Sequence, residues 1–98
     1  MLLIRDIFRC KPGKSRQVAE MFKRALSSFE PEDGLHNVRV MVDFVADYWT
    51  VVMELEVEDL AQFERNMERY RSRPEVQEAM AGYMDLVEGG RREIYRLL

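Results

Sequence analysis

Two stretches of alternating apolar and polar residues, 36–45 and 48–57, constrain the fold of this chain more than any other feature. A period of two predicts strands, and the short Ala46-Asp47 connection predicts a hairpin. In the register whose paired residue numbers sum to 93, Arg39 faces Glu54, and a shift by one residue would mix the two faces. The same register places four apolar pairs opposite each other: Phe44 with Trp49, Val42 with Val51, Val40 with Met53, and Val38 with Leu55.

The segment before the hairpin predicts one strand and one helix. Residues 2–10 are rich in Leu, Ile and Phe, as expected of a strand, and Lys11-Pro12-Gly13 predicts a turn. From 14 to 30 the apolar residues recur at helical spacing with a polar opposite face. Pro31 is expected to end this helix, because its ring cannot continue it.

The segment after the hairpin predicts a second helix that bends or restarts, followed by a last strand. Asp59 is expected to cap the helix, with Gln62 returning the bond, and Ser72 in the Ser-Arg-Pro-Glu stretch is a second candidate N-cap. Gly89-Gly90 is expected to end the helix before a strand over 91–98. The predicted buried stripe of this helix is Leu60, Phe63, Met67, Tyr70, Val76, Met80, Tyr83, Met84 and Val87.

The element order is therefore β-α-β-β-α-β, which predicts a ferredoxin-like α+β plait. Two helical crossovers around a hairpin give a four-stranded antiparallel sheet with both helices on one face. With 98 residues, the chain is expected to form a single domain over 1–98.

The sheet face away from the helices predicts a homodimer. Charged and apolar residues share this face, so it resembles neither a solvated surface nor a core, and a second copy of the sheet would cover it. The residues assigned to it are Arg5, Ile7, Arg39, Met41, Asp43, Val52, Glu54, Glu93 and Tyr95.

The stretches "IFRCKPGKSRQVAEMFKRAL", "VRVMVDFVADYWTVVMELEVEDLAQFE" and "GGRREIYRL" resemble the dimeric α+β barrel superfamily. Within it, the chain is most similar to small NIPSNAP-like and antibiotic biosynthesis monooxygenase-like domains. The resemblance implies two sheets packed face to face in a dimer, and a cleft between sheet and helices that can hold a small molecule. Its members include cofactor-independent oxygenases, haem-degrading enzymes and proteins of no known activity.

The residues depart from the haem-degrading members, which rely on a particular set of Asn, Trp and His. The first strand here has no Asn, Trp49 begins the third strand, and His36 precedes the second. The seven methionines fall mainly on predicted apolar stripes, where gap-filling explains them. We therefore expect no cofactor and no metal.

The Gly13-Lys14-Ser15 sequence is not a nucleotide-binding P-loop. That motif needs another glycine five residues before Gly13, where Phe8 stands, and a parallel sheet around it. A turn between strand and helix explains the sequence, with a weak anion site near Lys11 and Arg16 as the alternative.

Three residues are candidates for catalysis: His36, Arg39 and Trp49. His36, the one histidine, could act as a base, or it could be solvent-exposed at the border of its strand. Trp49 could line an aromatic pocket, or it could simply pack against Phe44.

Arg39 and Glu54 are candidates for a ligand pocket together with Trp49, Tyr70 and Tyr83. The two charged residues could form a partly buried pair, or Arg39 could hold a ligand carboxylate or enolate. Tyr70 and Tyr83 share the stripe of the second helix, so their hydroxyls could point into the cleft.

Composition argues against several partners. The net charge of −3 and the mixed charge pattern exclude the basic stripe that nucleic acids need. The opening residues are too charged for a signal peptide, and no apolar run is long enough for a membrane helix. With Cys10 as the only cysteine, no internal disulfide can form, and a cytoplasmic location is expected.

Two functions fit these observations. The first is a small-molecule-binding or assembly domain without catalysis, because no acid–base, nucleophile or metal constellation emerges from the residues. The second is a cofactor-independent monooxygenase acting on an aromatic or quinol-type substrate that itself activates oxygen. A small aromatic ligand is the candidate small-molecule partner.

Overall fold

The computed structural model describes residues 1–98. The strands are β1 (Leu2–Cys10), β2 (His36–Val42), β3 (Thr50–Val57) and β4 (Val87–Arg96), and the helices are α1 (Ser15–Leu26), α2 (Leu60–Arg71) and α3 (Pro74–Met80). The sheet order is β2-β3-β1-β4, with every neighbouring pair antiparallel. The predicted ferredoxin-like α+β plait is confirmed.

The predicted hairpin register is confirmed in its central part, where residues 39–42 pair with residues 51–54. The pairing shifts between His36 and Arg39. Within this bulge Asn37 has a φ of 51°, a left-handed conformation that asparagine tolerates better than most residues.

The tip of the hairpin differs from the prediction, because residues 43–49 form a loop instead of a two-residue turn. Trp49 has a φ of 55°, outside the strand region, and the Asp43 carboxylate closes the loop by accepting a hydrogen bond from the Thr50 backbone N–H at 2.8 Å. The predicted pair of Trp49 and Phe44 is therefore wrong, since the Phe44 side chain is fully exposed in the loop.

The first helix is shorter than predicted, because α1 ends at Leu26 and a 3₁₀ turn over Pro31–Asp33 follows. Buried Asp33 anchors this turn by accepting a hydrogen bond from the Glu30 backbone N–H at 2.9 Å and binding the Arg73 guanidinium at 2.8 Å. Burial alone would raise the pKa of Asp33, but these two partners outweigh it and lower that pKa.

The second crossover begins with the predicted cap. The Asp59 carboxylate accepts hydrogen bonds from the backbone N–H groups of Ala61 at 2.8 Å and Gln62 at 3.3 Å. Gln62 thus contributes its backbone to the cap, whereas a side-chain return bond was predicted.

The helix restarts at the predicted place, but Ser72 is not its cap. The Ser72 hydroxyl instead donates to the Arg69 carbonyl at 2.6 Å, within the last turn of α2. Arg73 precedes α3, which begins at Pro74, and makes no side-chain cap. Its guanidinium is held by Asp33, so a tertiary ion pair positions the restart.

The chain after α3 departs most from the prediction. α3 ends at Met80, a 3₁₀ turn covers Tyr83–Asp85, and β4 begins at Val87, four residues before the predicted Arg91. Met84, predicted on the buried stripe, is 70% exposed. The 3₁₀ turn changes the direction of the chain, so the predicted apolar stripe of the helix does not extend to Met84.

Gly89 and Gly90 lie inside β4 and do not end a helix. A Cβ atom on Gly90 would lie 2.1 Å from the Ile7 carbonyl oxygen of β1, far inside van der Waals contact. A Cβ atom on Gly89 would lie 2.9 Å from a terminal guanidinium nitrogen of Arg9. Close approach between strands, and not helix termination, explains Gly90.

Three clusters of buried apolar residues fill the space between the sheet and the helices. They centre on Phe22 with Val51, on Ile4 with Leu55, and on Ala25 with Val76. The residues of β1 and β3 alternate between this core and the open sheet face, as strand geometry requires. None of the helices has the length and apolar character needed to cross a membrane.

Gly90→Ala should lower the free energy of unfolding by about 1–3 kcal/mol, because the new methyl group collides with the Ile7 carbonyl. Gly89→Ala is the matched control, since a methyl group there meets only the movable end of Arg9. Urea unfolding followed by circular dichroism measures both variants. Equal stability of the two would contradict this explanation of the glycine pair.

Candidate functional site

A cavity of about 220 Å³ lies between the sheet and the helices, so the cleft is not filled by side chains. Both layers of the fold contribute to its walls, which are mostly apolar or aromatic. The apolar and aromatic lining residues are Phe8, Phe22, Ala25, Leu26, Phe29, Met53, Leu55, Phe63, Met67, Tyr70, Val76, Met80 and Tyr83.

Aromatic rings contact one another around this cavity. The Phe22 ring packs edge-on against Phe8, with 4.8 Å between ring centroids, and against Tyr83 at 5.9 Å. The Phe29 and Tyr70 rings lie 4.4 Å apart. Such contacts favour defined relative orientations of the rings, so these walls have a defined shape.

A charged pair enters the apolar cavity. Asp6 of β1, only 7% exposed, lies opposite Arg92 of β4 on the helix-covered side of the sheet. The Arg92 guanidinium donates two hydrogen bonds to the Asp6 carboxylate, at 2.6 and 3.0 Å, and lies 5.8 Å from the centre of the Phe63 ring. A carboxylate oxygen has two lone pairs, so Asp6 retains the capacity to accept a hydrogen bond from a molecule in the cavity.

Sequence reasoning assigned no role to this ion pair. Asp6 lies between Ile4 and Phe8 on the face of β1 that is directed at the core, and this position places its carboxylate on the buried side. The signal was therefore present in the first strand. The partner Arg92 depends on the pairing of β1 with β4, whose register the sequence did not predict.

Tyr70 and Tyr83, two of the predicted pocket residues, do line the cavity. The Tyr70 hydroxyl donates a hydrogen bond to the Ala25 carbonyl of α1, and burial raises its pKa to about 12. Tyr70 therefore stays protonated near neutral pH, with its proton engaged, and serves as a wall of the cavity.

The other predicted residues lie outside this cavity. His36 is exposed at the start of β2. Trp49 is 42% exposed and borders a separate surface pocket with Tyr48 and Arg16. The structure therefore does not bring the three catalytic candidates His36, Arg39 and Trp49 together with the cavity.

Arg39 and Glu54 form the predicted ion pair on the open sheet face, and Arg5 joins them. The buried Glu54 carboxylate accepts a hydrogen bond from Arg39 at 2.9 Å and from Arg5 at 2.7 Å. Burial alone would raise the pKa of Glu54, but the two guanidinium groups outweigh it and lower that pKa. The negative charge of Glu54 is therefore balanced by two arginines from the neighbouring strands β1 and β2.

Cys10 is buried at the end of β1, and burial raises the pKa of its thiol. The thiol form therefore dominates at neutral pH, which makes Cys10 a poor nucleophile. No three His, Cys, Asp or Glu side chains are grouped in a way that could hold a metal ion.

Similar folds occur among solved structures. An uncharacterised NIPSNAP-like domain protein from Burkholderia xenovorans matches with a TM-score of 0.82 and 20% identity, over 99% of this chain and 84% of that one. A NIPSNAP family protein from Agrobacterium tumefaciens matches with a TM-score of 0.80 and 12% identity, over 99% and 92%. An antibiotic biosynthesis monooxygenase matches with a TM-score of 0.71 and 13% identity, over 100% and 99%.

These matches confirm the predicted resemblance at the level of the fold. The whole chain shares the architecture of NIPSNAP and antibiotic biosynthesis monooxygenase-like domains. Identities of 20% or less carry no residue roles from those proteins to this one. No protein-family model matches the sequence, and no curated protein matches it either.

Proposed function

We propose that this protein binds a small, mainly apolar aromatic molecule between its sheet and its helices. The observation that carries the proposal is an open cavity of about 220 Å³ with apolar and aromatic walls and one ion pair whose carboxylate is buried. Ligand sites commonly combine such walls with a few polar groups that orient the ligand.

The volume limits the size of the ligand. An apolar protein cavity of about 150 Å³ is large enough to bind benzene. The cavity here is larger, at about 220 Å³, and therefore suits an aromatic molecule with a single ring or with two fused rings. A larger polycyclic ligand would require the helices to move away from the sheet.

The Asp6–Arg92 pair supplies the polar end of this site. Asp6 can accept a hydrogen bond from a hydroxyl group of the ligand, while the two hydrogen bonds from Arg92 hold the carboxylate in place. A phenol fits both features, because its ring matches the apolar walls and its hydroxyl group can donate to Asp6.

1-Naphthol should bind to the wild-type protein, and Met67→Trp should weaken binding tenfold or more by filling the cavity. Isothermal titration calorimetry measures both affinities, and thermal unfolding checks that the variant is folded. Met84→Trp is the matched control, because the same substitution at exposed Met84 lies outside the cavity. No binding by the wild type, or equal binding by Met67→Trp, would contradict the proposal.

A second candidate function is a cofactor-independent monooxygenase acting on a phenol or quinol. Its support is the buried Asp6 carboxylate inside an apolar cavity, together with the fold that the chain shares with an antibiotic biosynthesis monooxygenase. Asp6 would accept the phenolic proton, and the resulting phenolate would reduce O₂. One oxygen atom would enter the ring and the other would leave as water.

If this second function holds, 1-naphthol and O₂ should give 1,4-naphthoquinone and water faster with protein than without it. An oxygen electrode and the quinone absorbance follow the reaction. Asp6→Asn should abolish the acceleration because its amide cannot take up the proton, whereas Met84→Trp should not affect it. Naphthol binding without oxygen uptake would contradict catalysis and leave the binding proposal intact.

We also propose that two copies meet through the open sheet face. Met41, Val52 and Ile7 form an apolar row across β2, β3 and β1, since each lies opposite the next. The neighbouring row of alternating charges consists of Arg39, Glu54, Arg5 and Glu93. Burying the apolar row against a second copy would remove it from water.

As part of the same proposal, we place the protein in the cytoplasm, where reducing conditions suit an unpaired thiol such as Cys10.

Light scattering at micromolar concentration should give twice the mass of one chain. Val52→Glu should lower the mass to that of one chain, because it introduces an unpaired charge into the apolar row. Gln77→Glu is the control, because exposed Gln77 lies on α3 on the other side of the sheet. A single-chain mass for the wild type would contradict the dimer.

A further inference from the structure

The surface pocket beside Trp49 has a volume of about 250 Å³ and lies between the start of α1 and the β2–β3 loop. Val42 forms part of its floor. This residue pairs with Val51, and both pack in the core cluster around Phe22, so the pocket adjoins the helix-covered side of the sheet. None of its lining residues belongs to the aromatic cavity or to the two rows proposed for the dimer.

The first turn of α1 brings unused hydrogen-bond donors to this pocket. The backbone N–H groups of Ser15, Arg16 and Gln17 have no acceptor in the protein, since the first bond of the helix runs from Val18 to Lys14. The side chain of Lys14, at the N-cap position, cannot accept a hydrogen bond and leaves the helix uncapped. An uncapped helix start carries partial positive charge and favours an anionic group.

The Ser15 side chain is a second, independent indication of a ligand. Ser15 is only 6% exposed and lines the pocket, yet its hydroxyl makes no hydrogen bond within the protein. Every side-chain nitrogen or oxygen atom that is sealed from solvent has a partner, so the Ser15 hydroxyl is not sealed and opens into the pocket. It can therefore donate a hydrogen bond to an oxygen atom of a bound molecule.

Two opposite charges border the same pocket and are left unpaired by the protein. Neither Arg16 nor Asp43 has an oppositely charged group within ion-pair distance. One Asp43 carboxylate oxygen accepts a hydrogen bond from the Thr50 backbone N–H at 2.8 Å, and the other oxygen has no partner. The pocket therefore offers both a cationic and an anionic group to a ligand.

Tyr48 and Trp49 supply the aromatic part of the pocket. The Tyr48 side chain is 80% exposed and the Trp49 side chain 42%, so both rings have free surface. Both residues have a left-handed backbone, with φ of 37° and 55°. An exposed indole ring can pack against another aromatic ring.

We propose that this pocket binds a free α-amino acid with an aromatic side chain. The carboxylate of the ligand accepts hydrogen bonds from the first turn of α1 and the Ser15 hydroxyl, with Arg16 nearby. The ammonium group donates to the free oxygen of Asp43, and the ring packs against Trp49.

The charges and the volume of the pocket both suit this ligand. A zwitterion matches a site with one charge of each sign, whereas a simple anion would meet Asp43 and a simple cation would meet Arg16. A cavity of about 150 Å³ is large enough for benzene. The about 250 Å³ available here therefore holds a phenyl ring and leaves room for an α-carbon with its two charged groups.

The test is isothermal titration calorimetry with L-phenylalanine and with two analogues that each lack one charge. L-Phenylalanine should bind, and 3-phenylpropionate and 2-phenylethylamine should each bind about tenfold more weakly or worse, because each loses a charge-assisted contact. No binding of L-phenylalanine, or equal binding of all three compounds, would overturn the proposal.

Variants then assign the two charged groups of the ligand. Ser15→Ala and Arg16→Gln should each weaken L-phenylalanine binding several-fold to tenfold. Asp43→Asn retains an oxygen acceptor for the Thr50 N–H, and it should weaken L-phenylalanine binding about tenfold without weakening 3-phenylpropionate binding. Arg24→Gln is the matched control, because exposed Arg24 lies in the last turn of α1. An equal loss in Arg24→Gln, or a loss of both ligands in Asp43→Asn, would contradict the assignment.

Trp49 fluorescence shows where the amino acid binds. Trp49 is the only tryptophan of the chain and borders this pocket but not the aromatic cavity. Its emission should change on titration with L-phenylalanine, with the same dissociation constant as the calorimetry. Calorimetric binding without a change in Trp49 emission would place the ligand elsewhere and overturn the proposal, while naphthol binding in the aromatic cavity would be unaffected.

Discussion

The central position of β1 is the constraint on which the rest of the structure depends. This strand pairs with β3 on one side and with β4 on the other, so both of its edges are satisfied by backbone hydrogen bonds. The two faces of β1 then contact different surroundings. Ile4, Asp6 and Phe8 face the helices, whereas Arg5, Ile7 and Arg9 face the open side. The cavity and the open sheet face therefore each contain β1 residues, at alternate positions of the same nine-residue strand.

The charges near β1 are stabilised by pairing across strands, because a lone buried charge is costly. Asp6 under the helices is held by Arg92, and Glu54 on the open face is held by two arginines. These pairs are better understood as devices that place polar groups than as large sources of stability, since desolvation offsets much of their attraction.

Much of the fold could be predicted from local patterns. Alternation identified the hairpin and its register over residues 39–42, and the Asp59 cap was found where expected. Two of the errors share one cause. The Ser-Arg-Pro-Glu stretch and Gly89-Gly90 carry local signals for helix ends, but Asp33 positions the helix restart through Arg73, and close approach to Ile7 explains Gly90. Of the candidate site, the two tyrosines were predicted on the right face, whereas the Asp6–Arg92 pair required the β1–β4 register.

The sequence by itself determined the order of elements, the pairing of the central hairpin and the mixed character of the open sheet face. These features depend on periodicity and on neighbours within a few residues, which a single chain displays directly. Tertiary structure alone decided that the cleft stays open, that Asp6 meets Arg92 inside it, and that Arg9 lies over Gly89. Each of these depends on how side chains from strands and helices far apart in sequence share a space, and packing of that kind leaves no local pattern.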